Sequence, residues 1–281
     1  MAPITTIIPV FNRAATVGRA IRSVLAQDLS ATDTIIVTVV DDGSSDELAS
    51  ALGEFENKVM HIRHPRNLGA AAARNTGISS VRDGYVAFLD SDDVWTAGKL
   101  RRQLAMMRQR KWRASCTAYA LVRRDGSEVI SPRYTVSDLG MTELAWGCFV
   151  SPGSTLVCDR AVFDDIGLLD PNLQRLEDWD WLLRYVRKYT LGFVPEPLAR
   201  IEPSLNVESS KVITALELLR SKHMGGVPGR CRRYFKAALD FERAAALHHC
   251  GNPAAAVALL SSLLRSPFRH DALAAVLHNR S

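Results

Sequence analysis

The sequence predicts an α/β fold, a mostly parallel sheet with helices on both faces, followed by an all-helical C-terminal appendage. Three observations predict it. Short β-branched or apolar runs alternate with helix-period segments through the first hundred residues, the order that βαβ units require. Three of the early strands end in polar or acidic residues, and such sheets bind ligands beyond the carboxyl ends of their strands. After Pro203 the sequence reads as helix only.

Residues 4–10 read as the first strand and lead into Phe11-Asn12-Arg13, where Asn12 is expected to cap the next helix. In that helix Val17, Ala20, Ile21, Val24 and Leu25 share one face. Residues 35–40 are all β-branched and fit a strand buried on both faces. This strand ends in Asp41-Asp42-Gly43-Ser44-Ser45-Asp46, where Gly43 permits a tight turn and Ser45 or Asp46 is placed to cap a helix through Leu52. A short strand over 59–63 precedes Asn67-Leu68-Gly69 and an alanine-rich helix containing Arg74 and Asn75. The strand over 85–89 follows the turn Asp83-Gly84 and runs into Asp90-Ser91-Asp92-Asp93.

Further on, residues 116–122 and 128–130 flank Arg124-Asp125-Gly126 and predict a hairpin. Residues 146–150 and 155–158 are expected as strands around the loop Ser151-Pro152-Gly153-Ser154. A helix opens near Glu177 and runs through Tyr185, with acids in its first turn, where the helix dipole favours the ionised form. A helical hairpin is expected over 231–250 and 253–265, with Gly251 ending the first helix and Pro253 opening the second. The pattern Ala237, Ala238, Ala245, Leu247, Gly251, Asn252, Ala255, Leu259, Leu260, Pro267 is similar to a single tetratricopeptide unit, one repeat being too few for a solenoid.

With 47% hydrophobic and 23% charged residues, the composition is that of an ordinary globular protein, and 281 residues suffice for a large domain with an appendage. Five scattered cysteines without a CxxC pair argue against a disulfide framework or zinc site and for a reducing compartment. No window approaches the length of a transmembrane helix, and residues 4–10 already read as a strand rather than a leader. The expected location is the cytoplasm, or peripherally the inner face of the cytoplasmic membrane. From Ile201 onward eleven Lys/Arg stand against six Asp/Glu, so the whole net charge of +5 sits there. That region and the basic run 99–113 read first as a solvated helix face, with an anionic membrane or an acidic acceptor as the alternative. No recognition motif accompanies the charge, which argues against nucleic acid.

The most informative stretch is the apolar run that ends in Asp90, Asp92 and Asp93. Carboxylates gathered at one strand end repel one another unless a cation sits among them. Oxygen-only ligands suit Mg²⁺ or Mn²⁺, and Mg²⁺ takes one or two protein carboxylates and leaves positions for phosphates. The ends of three strands, at 9–13, 41–46 and 90–93, should meet at one crevice. The reading is a metal-bridged diphosphate site.

Four ordered motifs carry a family likeness: Thr6-Ile7-Ile8-Pro9-Val10-Phe11-Asn12-Arg13, Val40-Asp41-Asp42-Gly43-Ser44-Ser45-Asp46, Asn67-Leu68-Gly69 with Ala73-Arg74-Asn75-Thr76-Gly77, and Phe88-Leu89-Asp90-Ser91-Asp92-Asp93. Together with Glu177-Asp178-Trp179-Asp180 they closely resemble the family 2 glycosyltransferases with the GT-A fold. The resemblance implies a glycosyltransferase domain over 1–203, with a nucleotide-sugar-binding half (1–110) and an acceptor-binding half (111–203). The helical subdomain over 204–281 lies outside it. It further implies inverting transfer from a nucleotide diphosphate sugar, UDP-sugar first, to a saccharide or lipid-linked acceptor in cell-surface or exopolysaccharide assembly.

Carried over by motif, Pro9, Phe11 and Arg13 line the nucleoside pocket, Asp42 binds the base, and Arg74 contacts the donor. Asp90 and Asp92 match the acidic metal motif, with Asp92 the direct ligand of Mn²⁺ or Mg²⁺ and Asp90 beside it, and Asp90 and Ser91 are donor-binding residues. Glu177-Asp178 matches the family's acidic pair, and Asp178 fits the catalytic base. Glu177, Trp179, Ser154 and Arg200 are candidate contacts of acceptor or diphosphate. In the plainer readings Trp179 and Trp181 are core residues, Asp180 pairs with Arg184, and Asp41 bonds its own turn. The seven histidines show no metal-ligand grouping, since the adjacent His248 and His249 point in different directions on a helix. Gly167-Leu168-Leu169-Asp170 replaces the more usual Gly-Gly-Phe-Asp, and Gln174-Arg175-Leu176 stands where a glycine is common; both bear on acceptor-pocket shape.

Two rivals remain. A sugar nucleotidyltransferase would carry a glycine-rich basic loop after the first strand, which Phe11-Asn12-Arg13-Ala14-Ala15 is not. A non-catalytic scaffold with a decayed core would have no reason to retain Asp42, Asp90, Asp92 and Asp178 together.

Overall fold

The computed structural model describes residues 2–30, 33–123, 125–131, 136–202 and 208–266. Arg124 of the hairpin turn, the expected domain boundary at 203–204, and Pro267 with all that follows it lie outside the described residues. The first part alternates as the hydrophobic periods require: β1 (Ala2–Val10), α1 (Ala14–Leu25), β2 (Asp33–Asp41), α2 (Leu48–Leu52), β3 (Met60–Arg63), α3 (Ala70–Ser79) and β4 (Tyr85–Phe88). Then come β5 (Val94–Trp95), α4 (Lys99–Arg110), β6 (Ala114–Val122), β7 (Glu128–Ser131), β8 (Asp138–Leu139), α5 (Met141–Ala145), α6 (Pro152–Thr155) and β9 (Val157–Asp159). The chain continues through α7 (Ala161–Ile166), α8 (Glu177–Tyr185), β10 (Leu191–Ile201), α9 (Ser209–His223), α10 (Gly229–His249) and α11 (Ala254–Arg265).

The sheet order is β3-β2-β1-β4-β9-β6-β10-β5, with β7 added to β6 and β8 to β10. β3, β2, β1 and β4 are parallel, whereas β9 runs antiparallel to both β4 and β6. Val10 lies opposite Asp41 and Ile7 opposite Phe88, so the loops after β1, β2 and β4 leave one edge together. Because β9 is reversed, the turn before it returns to that same edge; Phe88 donates its amide to Leu156 O at 3.2 Å.

Strand alternation divides the core between the two faces. Ile4, Ile8 and Val39 pack with Val17 and Ile21 of α1 and with Leu100 and Leu104 of α4. Ile7, Val40 and Phe88 pack with Ala73 and Ile78 of α3, and this cluster continues through Leu182 and Leu183 of α8 to Leu216, Leu219 and Phe235 of α9 and α10. The C-terminal helices therefore share a core with the sheet.

Several expectations are corrected. Residues 146–150 form no strand; Trp146 closes α5, whose start is capped by Glu143 accepting the Gly140 amide at 2.8 Å. The segment 155–158 is divided, because Ser151 at φ 45° opens one helical turn with Pro152 first, and the strand begins only at Val157. In the basic run, Arg101, Arg102 and Arg108 do form a solvated face, paired with Asp28, Glu196 and Asp33 at 3.0, 2.7 and 2.6 Å. Lys99 instead is fully buried, 4.1 Å from the Trp95 ring centre and 2.7 Å from Gln103 Oε1, and burial pulls its ammonium down to about 7. The helical hairpin after Pro228 is as expected, with Gly251 at φ 71° between α10 and α11.

Candidate active site

At the carboxyl edge the first two loops are clasped to each other. Asn12, at φ 52°, donates its amide to Ser44 Oγ at 2.9 Å and accepts the Ser45 amide on Oδ1 at 2.8 Å. Asp46 Oδ2 accepts the Ala14 amide at 2.8 Å. Asn12 therefore does not cap α1, and Ser45 and Asp46 do not cap α2; the first amide of α1 is satisfied from across the cleft, because a two-loop clasp serves both turns. Gly43, at φ 77°, lies against the backbone of Arg66, and a Cβ there would fall 2.6 Å from the Arg66 carbonyl carbon.

The two carboxylates of this loop have separate tasks. Asp41 is fully buried, accepts the Ser44 amide at 2.7 Å as a turn bond, and pairs with Arg63. Asp42 receives the Leu68 amide on Oδ1 at 2.9 Å and the Gly69 amide on Oδ2 at 2.8 Å, and its Oδ1 meets His64 Nδ1 at 2.7 Å. His64 in turn meets Thr76 Oγ1 at 2.9 Å. A carboxylate offers about four acceptor directions, and among the described residues three are filled, on a carboxylate only 3% exposed. His64 was not singled out from sequence; a lone histidine after a strand carries no pattern.

The acidic turn after β4 is held from below by α6. Ser154 Oγ accepts the Asp90 amide at 3.1 Å and donates to Asp93 Oδ2 at 2.5 Å, while Asp93 Oδ1 accepts the Glu202 amide at 2.9 Å. Asp93 and Ser91 are thus buried, whereas the Asp90 and Asp92 side chains stay 39% and 33% exposed, open to a ligand. Arg13 Nε lies 3.6 Å from Asp92. Gly153 makes the approach possible, since a Cβ there would stand 2.6 Å from Asp90 Oδ2 and 2.9 Å from Arg74 Nη2.

Arg74 is the hub. Its guanidinium, over the Phe88 ring, donates to Asp90 Oδ1 at 2.6 Å and to Glu177 Oε1 at 2.5 Å, linking β4 to α8. Burial disfavours its charge, but Asp90, Glu177 and Asp178 outweigh burial and raise it further. Its Nε is a buried donor without a partner among the described residues. Asp178 lines a small pocket with Arg74, Phe88, Gly153 and Trp181 and accepts the Trp179 amide at 2.7 Å. Burial, then the Glu177 charge, pushes its carboxyl up to about 6, with Arg74 opposing. The helix-dipole expectation of a more acidic group is thus reversed, since desolvation exceeds the dipole.

The donor set fits a hard divalent cation. Burial first, and then the Asp90 charge, raises the Asp92 carboxyl and raises Asp93 to about 8, while the Asp90 and Asp92 oxygens stay partly exposed. No group of three or more His, Cys, Asp or Glu among the described residues could hold an ion unaided. One or two carboxylates plus substrate phosphates are the set that Mg²⁺ ordinarily takes.

Arg13, Arg74, Asp90, Asp92, Ser154, Glu177 and Asp178 are thus tied to one locus, while Pro9 stands near the end of β1 and the exposed Phe11 just beyond it. Two candidates lie elsewhere. Trp179 is 1% exposed, donates Nε1–H to Leu144 O at 2.9 Å and packs edge-on to Phe235, so it is core and not an acceptor contact. Arg200 is directed to β7, paired with Glu128 at 2.7 Å, although its backbone lies beside Val94. Trp181 is core as well, and Asp180 meets Arg184 at 3.0 Å as the helical spacing requires.

A sequence model of glycosyl transferase family 2 matches residues 5–167. The "Putative teichuronic acid biosynthesis glycosyltransferase TuaG" of Bacillus subtilis (strain 168) is 31% identical over 204 residues, 70% of this chain and 77% of that one. The Escherichia coli protein WfgD, a UDP-Glc:alpha-D-GlcNAc-diphosphoundecaprenol beta-1,3-glucosyltransferase, is 27% identical over 64% of this chain and 68% of its own. Against two Rickettsia glycosyltransferases the chain spans only 21% of their length. Among solved structures, S. aureus TarS 1–349 in complex with UDP-GlcNAc superposes with a TM-score of 0.71 at 17% identity, covering 99% of this chain and 87% of that one.

Proposed function

The chain belongs to glycosyl transferase family 2 and has its GT-A fold, and from that premise we propose an inverting transfer of a sugar from a UDP-sugar to a saccharide or lipid-linked acceptor in cell-surface polysaccharide assembly. The observation that carries this reading is the Arg74 bridge. One guanidinium fixes the acidic turn at Asp90 to the helix that bears Asp178, at 2.6 and 2.5 Å, so a donor side and an acceptor side are held at a set separation. The donor class is supported by the UDP-GlcNAc complex of TarS, and the acceptor class by the diphosphoundecaprenol acceptor in the name of WfgD.

In this reading the uracil N–H bonds the Asp42 carboxylate, with Pro9 and Phe11 against the nucleoside. Arg13 and Arg74 face the diphosphate. Asp92, with Asp90, would hold Mn²⁺ or Mg²⁺, which supplies positive charge to the departing diphosphate. Asp178 accepts the proton of the acceptor hydroxyl as that oxygen attacks the anomeric carbon from the opposite face. The C1–oxygen bond to the acceptor forms as the C1–oxygen bond to the diphosphate breaks, and one displacement inverts the centre. A base raised to about 6 is ionised at neutral pH and more basic than an ordinary carboxylate, as this step needs. The test is UDP release from UDP-glucose and UDP-GlcNAc with Mn²⁺ over candidate acceptors, with the anomeric configuration of the product read by NMR. Inverted product supports the reading, and retained configuration refutes it.

A further inference from the structure

Asp180 sits two residues beyond Asp178 on α8, about 200° around the helix, so the two carboxylates leave opposite faces. Asp180 is fully buried and meets α9. Its Oδ1 accepts from His223 Nε2 at 2.8 Å and from Lys222 Nζ at 2.7 Å, and its Oδ2 accepts from Arg184 Nε at 3.0 Å. Lys222 also reaches Asp170 Oδ2 at 2.8 Å, in the loop that leads to α8. His223, 1% exposed, receives Arg187 Nη2 on Nδ1 at 2.9 Å. An arginine only donates, so Nδ1 accepts and Nε2 carries the proton donated to Asp180. Gly226 leaves the space for this arginine; a Cβ there would fall 2.7 Å from Arg187 Nη2. Burial alone would raise the Asp180 carboxyl, but the bonds from His223 and Lys222 and the Arg184 charge hold it well below the usual carboxylate range.

We propose that His223 and Lys222, in the helical segment outside the matched family region, are positioning residues for the reaction: they lock α8 through Asp180 and so aim Asp178 into the pocket. A fully satisfied buried network fixes one orientation of the helix. The packing of Trp179 on Phe235 of α10 guides the same helix from its other flank. The C-terminal helices thereby act on the catalytic rate without touching substrate. This inference rests on the assignment of Asp178 as base.

The test uses the full chain and two substitutions that split the His223 contacts. In His223→Gln the amide nitrogen stands near Nε2 and keeps the bond to Asp180. In His223→Asn the amide oxygen stands near Nδ1, keeps Arg187 and loses Asp180. UDP release from UDP-GlcNAc and UDP-glucose with Mn²⁺ is measured with hydrogen exchange over α8. His223→Asn is expected to lower kcat about 10- to 100-fold at unchanged donor KM, the scale of a misaimed catalytic group, and to speed exchange of α8 amides. His223→Gln is expected to restore both. Should His223→Asn fail to fold, the partly exposed Lys222→Gln takes its place, with the same pattern in smaller measure. Normal kcat in the folded variant, equal loss in His223→Asn and His223→Gln, or unchanged exchange in His223→Asn overturns the proposal. If the unmodified protein releases no UDP from either donor, the donor reading fails instead, and the clamp stands or falls on the exchange data.

Discussion

At the scale of single residues, chemistry is decided by what closes around a side chain. Asp178 is legible as an acidic residue in a motif, but its basicity is not, because desolvation in a pocket formed by α6, α8 and β4 sets it. Two outcomes follow from that value. Asp178→Asn should lower kcat by about 10²–10⁴-fold while UDP binding persists, since the base acts only as the hydroxyl attacks. For the intact enzyme, kcat should fall as pH drops through about 6, because the base is then protonated. Steady-state rates across pH 5 to 8 read both, and a flat profile down to pH 5 would contradict the assignment. His64 and Lys99 were missed for the same reason: one clamps Asp42 and the other is entombed beside Trp95, and neither sits in a pattern that announces burial.

At the scale of elements, hydrophobic period carried the reading where it was strong. β1 to β4 and α1 to α3 were legible because β-branched runs and one-sided helices leave few alternatives. Between 141 and 159 the pieces are one turn of helix or three residues of strand, and such lengths hold no period; Ser151 at φ 45° decides the local path. That segment nonetheless builds the floor of the site. Gly153→Ala should press on Asp90 and Arg74, where the added Cβ would meet oxygen at 2.6 Å and nitrogen at 2.9 Å. The expected result is a donor affinity weakened about tenfold, or about 1.4 kcal/mol, with little change in melting temperature. Calorimetric titration of UDP with Mn²⁺ checks it, and unaltered affinity would show that the turn has room to give.

At the scale of the molecule, the helical region expected after Pro203 is present, and its helices share a core with the sheet. The contact between Asp180 and His223 spans 43 positions, and no local pattern reports so distant a meeting. Phe235, fully buried against Trp179, joins the helical segment to α8. Phe235→Ala should cost about 3–5 kcal/mol, as for other buried aromatics. It should lower one common unfolding transition, followed by tryptophan fluorescence and by circular dichroism; two separated transitions would mean that the helices are held independently.

The central claim is that the turn at Asp90–Asp92 and the start of α8 form two sides of one transfer site. Titration of UDP with Mn²⁺ into the unmodified chain, Asp92→Ala and Asp178→Asn tests it most directly. Tight Mn²⁺-dependent binding to the unmodified chain and to Asp178→Asn, with the Mn²⁺ dependence lost in Asp92→Ala, is the predicted result. Mn²⁺-dependent UDP binding that survives intact in Asp92→Ala, or disappears in Asp178→Asn, would contradict it.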